Sequence, residues 1–402
     1  MKNNNEKDNN EPSIYDTMAK FLIEKYKIRY NLIRQIPEIM VDGKYHELAS
    51  HLYNNVFLEL REQGIKIGET DIQKVLASDK VPVLNPLKYF FSNLPVWDKK
   101  NHIKALADSI QLCSDDPEMQ TDEVKALWKS CLTKWLIGLL SGVLNQDPTQ
   151  FVLVLTGEQG AGKTTWLRNL CPPPLMEDYY FEGYLTPRAN NKDTIDILTE
   201  KLIVNFDDQL DNLSPRDFGN LKVVISSIRL TSKKNYAINN NTRYRICAFV
   251  ASTNNPEFLV DDKNRRYLVF TVKHIQQFPN IDINQVYAQA HYLMTGGLSH
   301  HLDKAEQQAI HKMNLRYRDV SIEEELIMSY FKPIEKAGDD EEWHSSTEIL
   351  IYLQNQTGNK SLSKTKIGAA LKALNFEQKS KRTGLNTPKK WGVVKIKGPA
   401  FS

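Results

Sequence analysis

The sequence predicts an α/β protein: a P-loop core built on a parallel sheet, with a helical N-terminal domain before it and a small basic domain after it. Three observations carry this prediction. The apolar run Phe151–Leu155 leads into Gly157-Glu158-Gln159-Gly160-Ala161-Gly162-Lys163-Thr164, a full match to G-x-x-x-x-G-K-[ST]. Two more apolar runs, 202–206 and 246–250, follow with helical stretches between them, as strands buried on both faces of a parallel sheet require. Charge then collects at the end. Residues 361–402 hold nine Lys and one Arg against one Glu, a net +9, in a chain of 402 residues whose total is only +3.

Taken in order, the elements begin with Met1–Ser13, a polar stretch read as a disordered start. It lacks the apolar centre of a signal peptide. Ile14–Ile33 carries a roughly helical stripe through Met18, Phe21, Leu22 and Tyr26. His46–Glu62 is cleaner, with Leu48, Leu52, Val56 and Leu60 four residues apart. Pro82 and Pro86 break the chain, and a further helix starts at Asn85-Pro86. Glu123–Leu144 is the strongest helix, with Trp128, Leu132, Trp135, Leu136, Leu139 and Leu140 on one side. The acidic, glycine-containing stretch Glu335–Glu342 reads as a linker. The expected domains are therefore a start over 1–13, a helical domain over 14–125, the P-loop domain over 126–333, a linker over 334–342 and a basic domain over 343–402.

Composition removes several classes. The longest mostly apolar run, about ten residues around Trp135–Leu144, is too short to span a membrane, so no membrane partner is expected. Cys113, Cys131, Cys171 and Cys247 show no C-x-x-C spacing. That argues against a disulfide scaffold or zinc site and fits a cytoplasmic protein. The nine histidines show no H-x-x-x-H spacing, so Mg²⁺ is the only metal expected.

The candidate site starts at the glycine-rich loop. Its glycines let backbone N–H groups of 157–162 turn around a phosphate chain, Lys163 reaches the β/γ-phosphates, and the Thr164 hydroxyl ligates Mg²⁺. Thr165 opens the following helix. A P-loop needs an acidic partner, and the run 202–206 ends on Asp207-Asp208, 44 residues after Lys163. Asp207 is expected to hold the metal, and Asp208 to polarise the attacking water. A strand-terminal turn is the plainer reading of the pair alone. The third run ends on Ser252-Thr253-Asn254, where Asn254 can orient the water; an Asn-Pro turn would suit the same residues. Arg265 and Arg266 precede a fourth apolar run, Leu268–Val272. One can serve as an arginine finger toward a neighbouring subunit, against the plainer reading of a solvated basic turn. ATP is the implied substrate and Mg²⁺ the implied cofactor.

Gly157–Thr164, Asp207-Asp208 and Ser252–Asn254 together resemble the compact AAA+ core of superfamily 3 helicases. More specifically, the chain is similar to the virulence-associated E family of phage, satellite and mobile-element proteins. The segment 85–98, the helix 127–136 and Asn264-Arg265-Arg266 carry that likeness, which covers roughly Lys88 to Val272. Many members carry a Glu-containing variant where this chain has Asp207-Asp208. Larger relatives also carry a primase domain; the residues before this core show no D-x-D in a strand context, so no primase activity is expected.

The resemblance implies a ring-forming, ATP-dependent replicative DNA helicase, a homo-hexamer acting on single-stranded and duplex DNA, with a separate primase or replication initiator as a possible partner. It also implies a basic hairpin ahead of the third strand. Here that stretch offers Lys233, Lys234 and Arg243 to phosphates and Tyr236 to a base. A charged surface loop is the plainer reading. The basic tail resembles a winged helix, with Lys364, Lys366, Lys372, Lys379, Lys381, Arg382, Lys389 and Lys390 as candidate duplex contacts. Two other functions share the motifs: a non-unwinding AAA+ regulator or defence component that uses ATP as an assembly switch, and a P-loop phosphotransferase.

Overall fold

The computed structural model describes residues 12–112, 122–232, 241–259, 264–276, 281–318, 320–334, 342–380 and 389–396. The chain divides into two compact units, Met1–Asn254 with Arg266–Glu306, and Asn255–Arg265 with Gln307–Ser402.

The first unit opens with α1 (Ile14–Tyr26), started by a capping box. The Asp16 N–H donates to Ser13 Oγ at 3.2 Å, and the Ser13 N–H donates to the Asp16 carboxylate at 3.2 Å. The helix stops at Lys27, which takes a left-handed conformation at φ 48°, so it ends well short of Ile33. β1 (Arg29–Asn31), β2 (Ile36–Val41) and β3 (Lys44–Glu47) follow, then α2 (Ser50–Glu62), α3 (Glu69–Leu76) and β4 (Val83–Leu84). The strands form a small sheet in the order β3-β2-β1-β4. Its core joins Met18, Leu22, Ile39, Val56, Leu60 and Ile72. The helices were expected and the sheet was not. Its signal was Asp42-Gly43, both at positive φ (49° and 81°), a two-residue hairpin turn between β2 and β3.

α4 (Pro86–Ser92), α5 (His102–Asp108), β5 (Ile110–Leu112) and α6 (Asp122–Asn145) come next. α6 is buried on most sides, as its all-round apolar sequence requires. Trp128 Nε1 donates to the Ala107 carbonyl at 3.0 Å and Trp135 Nε1 to the Phe249 carbonyl at 2.9 Å. The chain continues through β6 (Val152–Gly157), α7 (Lys163–Arg168), α8 (Met176–Tyr179), β7 (Tyr180–Glu182), α9 (Lys192–Glu200), β8 (Ile203–Asn205) and α10 (Pro215–Ser226). A ribbon of β9 (Arg229–Ser232) and β10 (Asn241–Tyr244) leads to β11 (Ala248–Thr253), β12 (Tyr267–Ile275) and α11 (Ile283–Thr295).

The central sheet has six strands in the order β5-β12-β6-β11-β8-β7. Every pairing is parallel except β5 on β12. The four apolar runs read from the sequence are β6, β8, β11 and β12. β5 falls within the expected helical domain 14–125, yet it forms one edge of this sheet, so the sheet begins earlier in the chain than residue 126.

In the second unit the backbone N–H of Leu259 donates to the Tyr317 carbonyl at 2.8 Å, beyond the end of α12 (Lys304–Asn314). α13 (Ile322–Tyr330), β13 (Phe331–Pro333), β14 (Glu342–His344), α14 (Ser346–Thr357), α15 (Lys364–Ala373), β15 (Gln378–Ser380) and β16 (Lys389–Lys395) complete it. β16 pairs antiparallel with β13, β14 and β15. Ile327 and Tyr330 of α13 share one core with Ile349, Leu353, Ile367, Leu371, Trp391 and Val393. A boundary drawn from charge at 333/343 therefore passes through a single core. Most of the expected linker, 335–341, lies outside the described residues. Among the described residues, no helix is long and apolar enough to cross a membrane.

Candidate functional site

The site is built at one end of three neighbouring strands, β6, β11 and β8. β6 is buried along Val152–Thr156 and sits against β11 on one side and β12 on the other. At Gly157 the chain leaves the sheet. Its φ is +143°, and a Cβ there would lie 2.4 Å from the Val272 carbonyl oxygen, so only glycine fits this close parallel register. Gly162 then takes φ 86° as the residue capping α7.

That turn puts Lys163 at the first position of α7 with only 6% of its surface exposed. Its ammonium donates to the carbonyls of Gly157 and Glu158 and to Asn254 Oδ1, each at 2.8 Å. Burial holds the ammonium's pKa below its ordinary value, against the opposing pull of the Asp208 and Asp207 charges.

β8 supplies the acids. Phe206 N–H donates to the Val250 carbonyl at 2.9 Å and Asp208 N–H to the Ser252 carbonyl at 3.0 Å, so the chain tracks β11 past the end of the strand. Asp207 is half-buried and Asp208 exposed, with φ 49°. Thr164 Oγ1 donates to Asp207 Oδ1 at 2.9 Å, and the Ser252 hydroxyl donates to the same oxygen. Thr164 Oγ1 and Ser252 Oγ are 3.1 Å apart. These are hydroxyl and carboxylate oxygens, the donor set that a hard divalent cation takes.

β11 lies between β6 and β8, and it closes the constellation. Alternation along the strand sends Ser252 and Asn254 one way, toward Asp207 and Lys163, and Thr253 the other way. There the Thr253 hydroxyl donates to Asp211 Oδ1 at 2.5 Å. Partial burial raises the Asp211 pKa, the Thr253 bond opposes that, and the Asp208 charge adds to it. Ser252 was named only as part of the Ser252–Asn254 motif, with no role of its own, and Asp211 was not singled out from the sequence. Ser252 could have been found by stepping two residues back from Asn254. Asp211 has no signal of its own, being one more acid in a turn.

Residues 92–319 match the family model described as the virulence-associated protein E-like domain. The match takes in more than half of the chain. The chain belongs to this family. The virulence-associated E-like segment contains β6, β8, β11, β12 and every residue of the constellation above, and extends past Val272. No curated protein matches the chain. Among solved structures, it is similar to the apo structure of the NrS-1 C-terminal region (305–718), at 14% identity over 96% of this chain and 100% of that one, with a TM-score of 0.46. An A form apo structure of the same region matches at 15% identity over 94% and 99%, with a TM-score of 0.44.

The virulence-associated E-like segment also holds the two arginines. Arg266 is half-buried, and its Nε donates to Ser226 Oγ at 2.8 Å; Arg265 is exposed. Within the loop, Glu158, Gln159, Gly160 and Thr165 are exposed and Ala161 is half-buried. The expected hairpin has its stem in β9 and β10, while Lys233, Lys234 and Tyr236 lie outside the described residues.

Arg243 departs from expectation. It sits on β10 with its guanidinium 3.2 Å from both Asp196 and Glu200 of α9, and it donates to the Ile33 carbonyl at 2.6 Å. Those partners occupy the group at the foot of the ribbon.

In the second unit, Lys379 pairs with Glu377 at 2.8 Å and lies over the Trp343 ring at 5.0 Å. Lys389 and Lys390 start β16, with Lys390 opposite Lys379. Lys364, Lys366 and Lys372 are exposed on α15. Lys381 and Arg382 lie outside the described residues.

Proposed function

We propose that the chain is an ATP-dependent replicative DNA helicase of a phage or other mobile element, with a superfamily 3-like AAA+ P-loop core that forms a ring. The observation that carries this reading is the meeting of Lys163, Thr164, Asp207, Ser252 and Asn254 at the ends of three adjacent strands. Membership of the virulence-associated E-like family supports it.

In this reading, backbone N–H groups of residues 157–162 cradle the phosphates of ATP, and Lys163 turns from Asn254 toward the β/γ-phosphates. Thr164 and Asp207 would hold Mg²⁺, which would supply charge neutralisation at the phosphates. Asp208 takes a proton from the attacking water and Asn254 orients that water. Arg265 is the finger offered to the neighbouring subunit of a homo-hexamer, since Arg266 is tied to Ser226. The β9–β10 ribbon carries Lys233, Lys234 and Tyr236 to single-stranded DNA. The last helices and sheet act as a winged-helix-like module for duplex DNA, through Lys379, Lys381, Arg382, Lys389 and Lys390. A separate primase or replication initiator would complete the system.

Particle size tests the assembly. Sedimentation with a non-hydrolysable ATP analogue, Mg²⁺ and single-stranded DNA is expected to give a ring several times the monomer mass. A monomer under those conditions contradicts the reading.

A further inference from the structure

Away from the P-loop, one corner of the first unit brings together three metal-ligating side chains from distant parts of the chain. Asp147 lies in the connection from α6 to β6, just past Gln146, which turns the chain at φ 58°. Its N–H is held by the Ser141 carbonyl at 3.2 Å. His300 and His301 follow α11, with the His301 N–H donating to Ser299 Oγ at 3.1 Å. Asp147 Oδ2 is 3.7 Å from His300 Nε2 and 4.0 Å from His301 Nε2, and the three ligand atoms lie within 4.8 Å of one another.

His300 gives the independent observation. Only 6% of it is exposed, and among the described residues its Nε2 has no hydrogen-bond partner. The nitrogen faces the Asp147 carboxylate across 3.7 Å, beyond hydrogen-bond range. A gap of that size is too wide for a shared proton. It is close to the roughly 3.4 Å that separates two ligands at about 2.0–2.1 Å in a tetrahedral shell. The ring is fixed in place: at Gly138 of α6 a Cβ would meet His300 Cδ2 at 3.3 Å and Thr149 Cβ at 2.6 Å. His301, 61% exposed in its side chain, can swing inward to complete the set.

We infer that Asp147, His300 and His301 form a binding site for a divalent transition metal of the Zn²⁺ class, separate from the Mg²⁺ expected at the P-loop. Two imidazoles and one carboxylate suit Zn²⁺, Co²⁺ or Ni²⁺, whereas Mg²⁺ takes oxygen ligands. Three protein ligands leave coordination positions to solvent. The bound ion would tie the start of the P-loop strand to the segment after α11, and so stabilise the folded unit.

The test uses the untagged full chain, stripped with EDTA and titrated with Co²⁺ without nucleotide. The expected result is binding of about one equivalent, visible d–d absorption of a low-coordinate ion, and a raised Tm. His301→Ala changes an exposed residue and should fold; it should weaken binding at least roughly tenfold, as should Asp147→Asn. Asp207→Asn should leave Co²⁺ binding unchanged, which separates this site from the P-loop. Mg²⁺ alone should not raise Tm through this site, so any Mg²⁺ effect should persist in His301→Ala. Absence of binding, equal binding in His301→Ala and Asp147→Asn, or thiolate charge-transfer bands pointing to cysteine would overturn the proposal.

Discussion

The Lys163 ammonium and the Asn254 side-chain oxygen are 2.8 Å apart, so the glycine-rich loop and the end of β11 share a hydrogen bond. β11 is the strand that separates β6 from the acid-bearing β8. One residue thus touches the glycine-rich loop while its neighbour but one, Ser252, touches Asp207.

Both partners should act on the hydrolysis rate. Lys163→Ala should lower ATPase kcat by at least about 100-fold. Asn254→Ala should lower kcat by roughly 100-fold while nucleotide affinity stays within a few fold, because water orientation acts on the chemical step. Steady-state hydrolysis beside fluorescent-nucleotide titration reads both. A loss of affinity in Asn254→Ala matching its loss of rate would remove the assigned role.

The two aspartates should differ in metal dependence. Asp207 accepts from Thr164 at 2.9 Å, whereas Asp208 is exposed at the edge of the cluster. Asp207→Asn should raise the Mg²⁺ needed for half-maximal hydrolysis by roughly tenfold or more. Asp208→Asn should keep the Mg²⁺ requirement and lose about 100-fold in kcat. Exchanged phenotypes would reverse the assignment.

How much of this was legible beforehand varies by element. The four inner strands were legible, because strands buried on both faces leave apolar runs such as Phe249–Ala251. β5 and β7 were not: three-residue edge strands such as Ile110–Leu112 have no periodicity to read and exist only through pairing with a neighbour. The loop, Asp207 and Asn254 were found by type and spacing, and their bonds to one another follow from the strand order. The partners of Arg243 were not legible, because charge alone does not reveal them; Asp196 and Glu200 approach it only once α9 has folded beside β10. Asp147, His300 and His301 escaped a search by local spacing, since Asp147 lies far along the chain from the two histidines that its carboxylate approaches.

Gly157 and Gly160 make a graded stability test. At Gly157 a Cβ would stand 2.4 Å from the Val272 oxygen, while at Gly160 nothing lies within 4 Å and only φ +81° opposes a side chain. Gly160→Ala should cost about 1 kcal/mol, and Gly157→Ala at least about 2 kcal/mol. Urea unfolding measures both, and equal costs would count against the close register of β6 and β12.

Arg245 should matter more to the fold than its sequence position beside the ribbon suggests. It is fully buried and donates to the carbonyls of Ser227, Cys247, Thr149 and Ile225 at 2.6–3.0 Å. Arg245→Met strips the donors from these carbonyls, and each one left unsatisfied costs about 1–3 kcal/mol, so a loss of at least about 3 kcal/mol is expected in chemical denaturation. A loss below about 1 kcal/mol would mean the carbonyls find other donors.

The central claim is that ATP hydrolysis at Lys163 drives strand separation. The most direct measurement is displacement of a labelled strand from a tailed duplex, with the wild type and Lys163→Ala run side by side at saturating ATP and Mg²⁺. The account predicts ATP-dependent displacement by the wild type and none by the variant. Hydrolysis stimulated by single-stranded DNA but without displacement would contradict it, and would instead favour a switch that uses ATP only to assemble on DNA.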